Sequence, residues 1–222
     1  MRWPFTTFAT GTLLLFSLPL AALAYWLRET VQGAWWIAPI PLLLFVLSFF
    51  RDPQRHAAGG EDDLVSPADG LVSDIVELDC PDVGEGCTRI GIFLSVFNVH
   101  VNRVSCSGEV QAVSKRNGGF FDARDKRAIE ENEAATIVIK RPDGRCVGIR
   151  QITGLIARRI ICPVSIGDRF ERGQRYGMIR FGSRTELIVR TTDLDQVMTR
   201  VGDTVKGGET LLATLRPDND RD

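Results

Sequence analysis

Three short stretches of this 222-residue chain hold residue types that can do chemistry. They are Ser66-Pro67-Ala68-Asp69-Gly70, then Phe93-Leu94-Ser95-Val96-Phe97-Asn98-Val99-His100-Val101-Asn102-Arg103, and Phe181-Gly182-Ser183-Arg184. Serine, histidine and a carboxylate are the types from which nucleophile, base and orienting group are drawn. Each stretch alone has an ordinary reading. Ser-Pro-Ala-Asp-Gly makes a turn, a histidine between valines sits in a core, and Gly-Ser is a common loop dipeptide. The chain has two histidines, and His56 lies in a polar stretch, so His100 is the one with chemical promise.

The elements that must position these residues read as strands. Residues 51–63 (RDPQRHAAGGEDD) form a polar linker with proline and paired glycine. Beyond it come short runs such as GLVSDIVEL, TRIGIFLSV, ATIVIK, CVGIRQI, YGMIRF and TELIVR. Several alternate with period two and are rich in Val, Ile and Thr, which predicts strands. Only Asp122 to Glu133 reads as helical or irregular. The expectation is a mainly β catalytic domain over 64–222, a sandwich or partly closed barrel. Val164 to Phe181 and Thr199 to Leu215 repeat one pattern, with glycines at matching offsets (Gly167 and Gly173; Gly202 and Gly208). Such a hammerhead unit resembles the half-barrels of biotinyl and lipoyl carrier domains. No lysine sits at a hairpin tip between apolar strands, which argues against a carrier role.

Charge divides the chain in two. Residues 1–50 hold only Arg2, Arg28 and Glu29, whereas the remainder holds 25 basic and 27 acidic side chains, a formal balance of −2. No basic field points to nucleic acid. Two apolar runs, Phe5 to Leu27 and Ala34 to Phe50, flank the polar turn RETVQG, with Trp26, Trp35 and Trp36 beside it. Residues 1–50 therefore read as a membrane-embedded helical hairpin. Arg2 before it, and Arg51, Arg55 and His56 after it, favour an N-terminus and body on the cytoplasmic side of the cell (inner) membrane. Ala22-Leu23-Ala24 also resembles a signal-peptidase site, but cleavage there would leave the second apolar run at a new N-terminus. The five cysteines form no CxxC pair, and with histidines unclustered they suggest neither a metal site nor a disulfide framework.

In order along the chain come Phe49-Phe50-Arg51-Asp52-Pro53, the Ser-Pro-Ala-Asp-Gly run, the Asn-Val-His-Val-Asn-Arg strand and the late Gly-Ser. That joint order resembles the short, archaeal-type phosphatidylserine decarboxylases, found also in many bacteria, over nearly the whole chain. The resemblance implies a proenzyme cut between Gly182 and Ser183 into chains 1–182 and 183–222, which stay together as a heterodimer or a higher oligomer. Ser183 would attack the Gly182 carbonyl, and the resulting ester would eliminate, leaving a covalent pyruvoyl (pyruvate) group at the new N-terminus. His100 would be the base and Asp69 the orienting carboxylate. The mature carbonyl would form a Schiff base with phosphatidylserine drawn from the membrane, and loss of CO2 would give phosphatidylethanolamine, with His100 as proton donor.

Two departures stand out. Longer relatives carry a second histidine where this chain has Arg103, and their Leu-Gly-Ser-Thr is Phe-Gly-Ser-Arg here. Arg103 and Arg184 are therefore candidates for binding the substrate phosphate or carboxylate. Two rival readings remain. A pyruvoyl enzyme acting on a free amino acid would have no use for the apolar head. A membrane-anchored biotinyl-like adaptor would carry long heptad helices, which this chain lacks.

Overall fold

The apolar head folds as helix where its leucine- and alanine-rich sequence favours one. A computed structural model describes residues 4–155, 159–180 and 183–217. Helix α1 spans Thr10–Thr30, and a 3-10 turn at Thr7–Ala9 leads into it. The turn is capped by Thr6, whose Oγ1 accepts from the Phe8 N–H at 3.2 Å. At ~1.5 Å per residue the continuous Thr7–Thr30 stretch is long enough to cross a hydrocarbon core. Leu15, Leu18 and Tyr25 on it are exposed, as lipid-facing side chains would be.

Helix α2, Ile40–Phe49, has only 10 residues. That length reaches about half of a core ~30 Å thick, so the two apolar runs of the expected hairpin fold as one long helix and one short one. The second run is shortened at its start, where Trp35–Ile37 form a 3-10 turn and Pro39 and Pro41 bracket the first helical residue. The unit Met1–Gln54 is held by the Asp52 N–H donating to Pro4 O at 2.8 Å and the Thr6 N–H donating to Phe50 O at 2.9 Å.

Arg55–Asp222 forms the second unit, and it is mainly β. Its strands are β1 Asp63–Val65, β2 Gly70–Cys80, β3 Gly84–Leu94, β4 Val101–Arg103, β5 Gly108–Arg116, β6 Ala134–Lys140 and β7 Cys146–Ile152. They continue as β8 Ile160–Ile161, β9 Arg169–Phe170, β10 Arg175–Ile179, β11 Ser183–Arg190, β12 Leu194–Val197, β13 Thr204–Val205 and β14 Leu211–Leu215. Eight make one antiparallel sheet in the order β13-β2-β3-β11-β7-β6-β5-β9, and two three-stranded sheets, β1-β14-β12 and β4-β10-β8, complete the unit. Val72, Ile92, Ile149 and Leu187 of the large sheet pack with Leu64, Leu212 and Tyr176 of the small ones in one core. A short helix, α3 Lys126–Glu131, starts at Asp125, whose side chain accepts from the Arg127 N–H.

The repeat seen in the sequence has a matching shape in its two copies. Each has a turn glycine at positive φ, a two-residue strand (β9 or β13), a second such glycine and a five-residue strand (β10 or β14).

Register matters most for function. Ser183 opposes Leu94, Arg184 opposes Ile152, and Ala134 opposes both Ile152 and Arg116. The ends of β3, β5 and β7 and the starts of β6 and β11 therefore align at one end of the large sheet. The segments 95–100 and 117–133, and residues 153–155 after β7, leave from that end.

Candidate active site

Ser183 opens β11, a strand with seven consecutive buried residues because β3 and β7 flank it and the core covers its faces. Its side chain is fully buried, and among the described residues Oγ has no hydrogen-bond partner. An unsatisfied buried hydroxyl costs about 1–3 kcal/mol, which makes Ser183 a candidate for chemistry. Phe181 and Gly182, including the expected scissile position, lie outside the described residues.

His100 is fully buried as well, and its Nδ1 lies 2.9 Å from the Asn98 carbonyl oxygen. A carbonyl oxygen only accepts, so Nδ1 holds the proton and Nε2 keeps the lone pair of the neutral ring. The geometry thus selects the tautomer that a base requires. Asn98 is itself fixed, because its Oδ1 accepts from the Ser95 N–H at 2.9 Å and from Ser95 Oγ at 2.7 Å.

Asp69 lies just before β2, at the same sheet end: Leu71 opposes Phe93, the neighbour of Leu94. Its carboxylate is gripped by both terminal nitrogens of Arg55 and accepts from the Gly207 N–H at 2.9 Å. The three predicted residues therefore issue from one end of the sheet. Asp69 is held by Arg55 and Gly207, while the His100 ring bonds to the Asn98 carbonyl.

The two arginines singled out by motif have internal partners. Arg103 is buried and donates from Nη1 to Gly173 O at 2.9 Å, between the glycine turns of the two repeats. Arg184 donates from Nε to Glu186 at 2.8 Å, from Nη1 to Ser73 at 2.7 Å and Asp74 at 2.6 Å, and from Nη2 to Asp74 at 2.8 Å. Its guanidinium crosses β3 above Gly91, where a Cβ would overlap it. Pinned by two carboxylates, Arg184 has little room to yield. Gly91→Ala is therefore expected to destabilise the fold by about 1–3 kcal/mol in urea unfolding.

The same cluster sets a pH dependence. Burial alone would raise the Asp74 carboxyl, but hydrogen bonding and attraction from Arg184, with Ser73 and Arg89, outweigh it and lower the pKa to about 2. A carboxyl depressed in the folded state stabilises that state above its unfolded value near ~4, and this contribution is lost as pH falls toward the folded value. Thermal melts should show the wild type losing on the order of 2 kcal/mol more than Asp74→Asn between pH ~4 and ~2.

Sequence reading missed a buried polar chain behind the serine. Gln151 Nε2 donates to Asn102 Oδ1 at 2.7 Å, and Asn102 Nδ2 donates to Thr185 Oγ1 at 3.2 Å, all three residues being fully buried. His100 and Ser183 each lie two residues before a bonded member of this chain, and side chains two apart on an extended strand share a face. The available signal was polar residues inside apolar strands, TELIVR and GIRQI.

Comparison with known proteins follows the same direction. The family profile described as Phosphatidylserine decarboxylase matches residues 42–213. A "Phosphatidylserine decarboxylase proenzyme" of Rhodopirellula baltica is 42% identical over 204 residues, covering 90% of this chain and 82% of that one. One of Trichlorobacter lovleyi is 44% identical over 213 residues, covering 96% and 94%. One of Syntrophus aciditrophicus is 45% identical over 183 residues, covering 81% and 85%.

Proposed function

Because this chain belongs to the phosphatidylserine decarboxylase family, we propose that it converts phosphatidylserine to phosphatidylethanolamine and CO2 with a pyruvoyl group made from its own Ser183. The observation that carries this reading is the buried Ser183 hydroxyl, without a partner among the described residues, opening a strand at the same sheet end as a histidine whose Nε2 is the basic nitrogen.

Self-processing follows from those two groups. Ser183 Oγ attacks the Gly182 carbonyl, where no Cβ obstructs approach, and the peptide becomes an ester as the Ser183 nitrogen is released. His100 Nε2 takes the Ser183 α-proton, and the Cβ–O bond breaks to free a chain ending at Gly182. Water then replaces the nitrogen of the dehydroalanine, releasing ammonia and leaving the ketone. Asp69, fixed by Arg55 and the Gly207 amide, supplies a stationary negative charge at the same strand end.

In the mature enzyme the pyruvoyl carbonyl supplies the electron sink that decarboxylation needs. Once protonated at Nε2, His100 delivers that proton to the substrate α-carbon after CO2 has left. The buried Asn102–Gln151–Thr185 chain holds strands β4, β7 and β11 in fixed relation while this happens. Arg184 and Arg103 are read as framework for the site, since substrate binding by Arg184 would break its pairs with Asp74 and Glu186. The glycine-turn repeats, read as hammerhead half-barrels, serve as scaffold.

The two product chains form a heterodimer in this reading. After cleavage, β11 of chain 183–222 remains between β3 and β7, and β14 remains between β1 and β12. Gel filtration without denaturant should therefore show the chains co-eluting, with separation only on unfolding. The apolar head retains the enzyme in the inner membrane with the body cytoplasmic, where its lipid substrate never leaves the bilayer. Strong periplasmic activity of a C-terminal phosphatase fusion would contradict that topology. The activity itself is tested by CO2 release from phosphatidylserine vesicles. Turnover should be abolished by hydroxylamine, which captures ketones, and absence of turnover by processed enzyme would sink the assignment.

A further inference from the structure

Most buried arginines of the body sit against carboxylates, whereas the half-buried Arg180, near Ser183 in sequence, and the exposed Arg159 opposite it do not. Strands β8 and β10 pair with Ile179 opposite Ile160, and the Arg180 N–H donates to Arg159 O at 3.4 Å. Arg159 and Arg180 therefore face each other across adjacent strands, and cross-strand partners carry their side chains on one face with Cβ atoms about 4.5–5.5 Å apart. Neither guanidinium forms a hydrogen bond or ion pair among the described residues, and Arg180 Nε is buried without a partner. Like charges directly opposite destabilise a sheet, and burying a donor without an acceptor adds to that cost. Burial and the facing Arg159 both push the Arg180 pKa down, the strain expected of a cation pair that lacks its anion.

The pair's place in the fold says which anion. Arg180 is three residues before Ser183, and the N–H of its neighbour Ile179 donates to the His100 carbonyl. Phe97 and Leu155, 73% and 62% exposed, stand on the segments that leave β3 and β7 at this same end. An anion with apolar groups attached fits such surroundings better than a bare inorganic one.

We propose that Arg159 and Arg180 bind the phosphodiester of the lipid substrate, two guanidinium groups closing on one phosphate beside Ser183. The assignment rests on the phospholipid reading above and replaces Arg184 and Arg103, which are engaged internally, as the headgroup contact. Guanidinium forks suit phosphate oxygens in geometry as well as charge.

The test uses the full processed chain in a neutral detergent. Calorimetric titration with glycerophosphoglycerol, a phosphodiester with no amine to react, is run beside titration with inorganic phosphate. Arg159→Gln and Arg180→Gln should each raise the Kd for the phosphodiester by about tenfold or more, with partial recovery in Arg180→Lys. The KM for phosphatidylserine should rise about as much while kcat stays within a factor of about three, the pattern of lost ground-state binding. Arg159→Gln, farther along the chain from Ser183, keeps the test readable if Arg180→Gln disturbs processing. Unchanged phosphodiester affinity in both Gln variants would overturn the proposal. So would inorganic phosphate binding as tightly as the diester through the same arginines, which would mark a general anion site. If the wild type bound the diester through this pair yet never decarboxylated phosphatidylserine, the anion site would stand and the enzymatic reading would fall.

Discussion

Replacing Ser183 with alanine is expected to leave one intact chain, with no decarboxylase activity at all. The effect is all-or-none because the substitution removes both the nucleophile for processing and the atoms from which the ketone is made. It should not come through misfolding. The Ser183 hydroxyl is buried without a partner among the described residues, so alanine fills the same space and removes an unsatisfied polar group. Thermal stability should therefore be unchanged or slightly higher, while a denaturing gel shows a single band. A Ser183→Ala protein that still splits, or still releases CO2 from phosphatidylserine, would be incompatible with the mechanism.

The second large effect is expected from His100→Ala, which should accumulate precursor with processing slowed by about 10²–10⁴-fold, the usual contribution of a positioned base. Asp69→Ala should slow processing less, because a carboxylate held by Arg55 and the Gly207 amide would assist the base without itself accepting the proton. Groups that act as a unit are not additive, so the double variant should resemble His100→Ala alone. The later role of His100 is isolated by treating already processed enzyme with a histidine-selective reagent. Decarboxylation should disappear with the pyruvoyl group intact, while labelling of His56 alone has no effect. Normal cleavage and normal turnover in His100→Ala would remove both assignments together.

The contrast between what the sequence announced and what it hid has physical causes. Period-two alternation exposed the strands, and matching glycine offsets exposed the paired turns at Gly167 and Gly173 and at Gly202 and Gly208, because those signals are local. The candidate Gly-Ser stood out only through its order relative to the other segments, since the dipeptide alone is commonplace. Long-range pairing was not legible. Arg55 lay in what reads as linker, yet it grips Asp69, and nothing local in residues 51–63 announces a partner in a later turn. Arg184 looked available for substrate because its partners Asp74 and Ser73 come from a strand more than a hundred residues earlier. Arg159 and Arg180 become neighbours only through the β8–β10 register. The second apolar run was long enough to suggest a span, but Pro39 and Pro41 fix its helical start at Ile40 and leave only a short helix.

The most direct measurement of the central claim is the intact mass of the purified protein under denaturing conditions. The account predicts two chains, residues 1–182 with an ordinary carboxyl terminus and residues 183–222 beginning in a pyruvoyl group. The second should weigh about 17 Da less than the same peptide with an unmodified serine, because the net change from serine to pyruvoyl is the loss of ammonia. It should resist Edman degradation and gain the expected mass on reaction with a hydrazine. A single unblocked chain of 222 residues that decarboxylates phosphatidylserine at full rate would contradict the account.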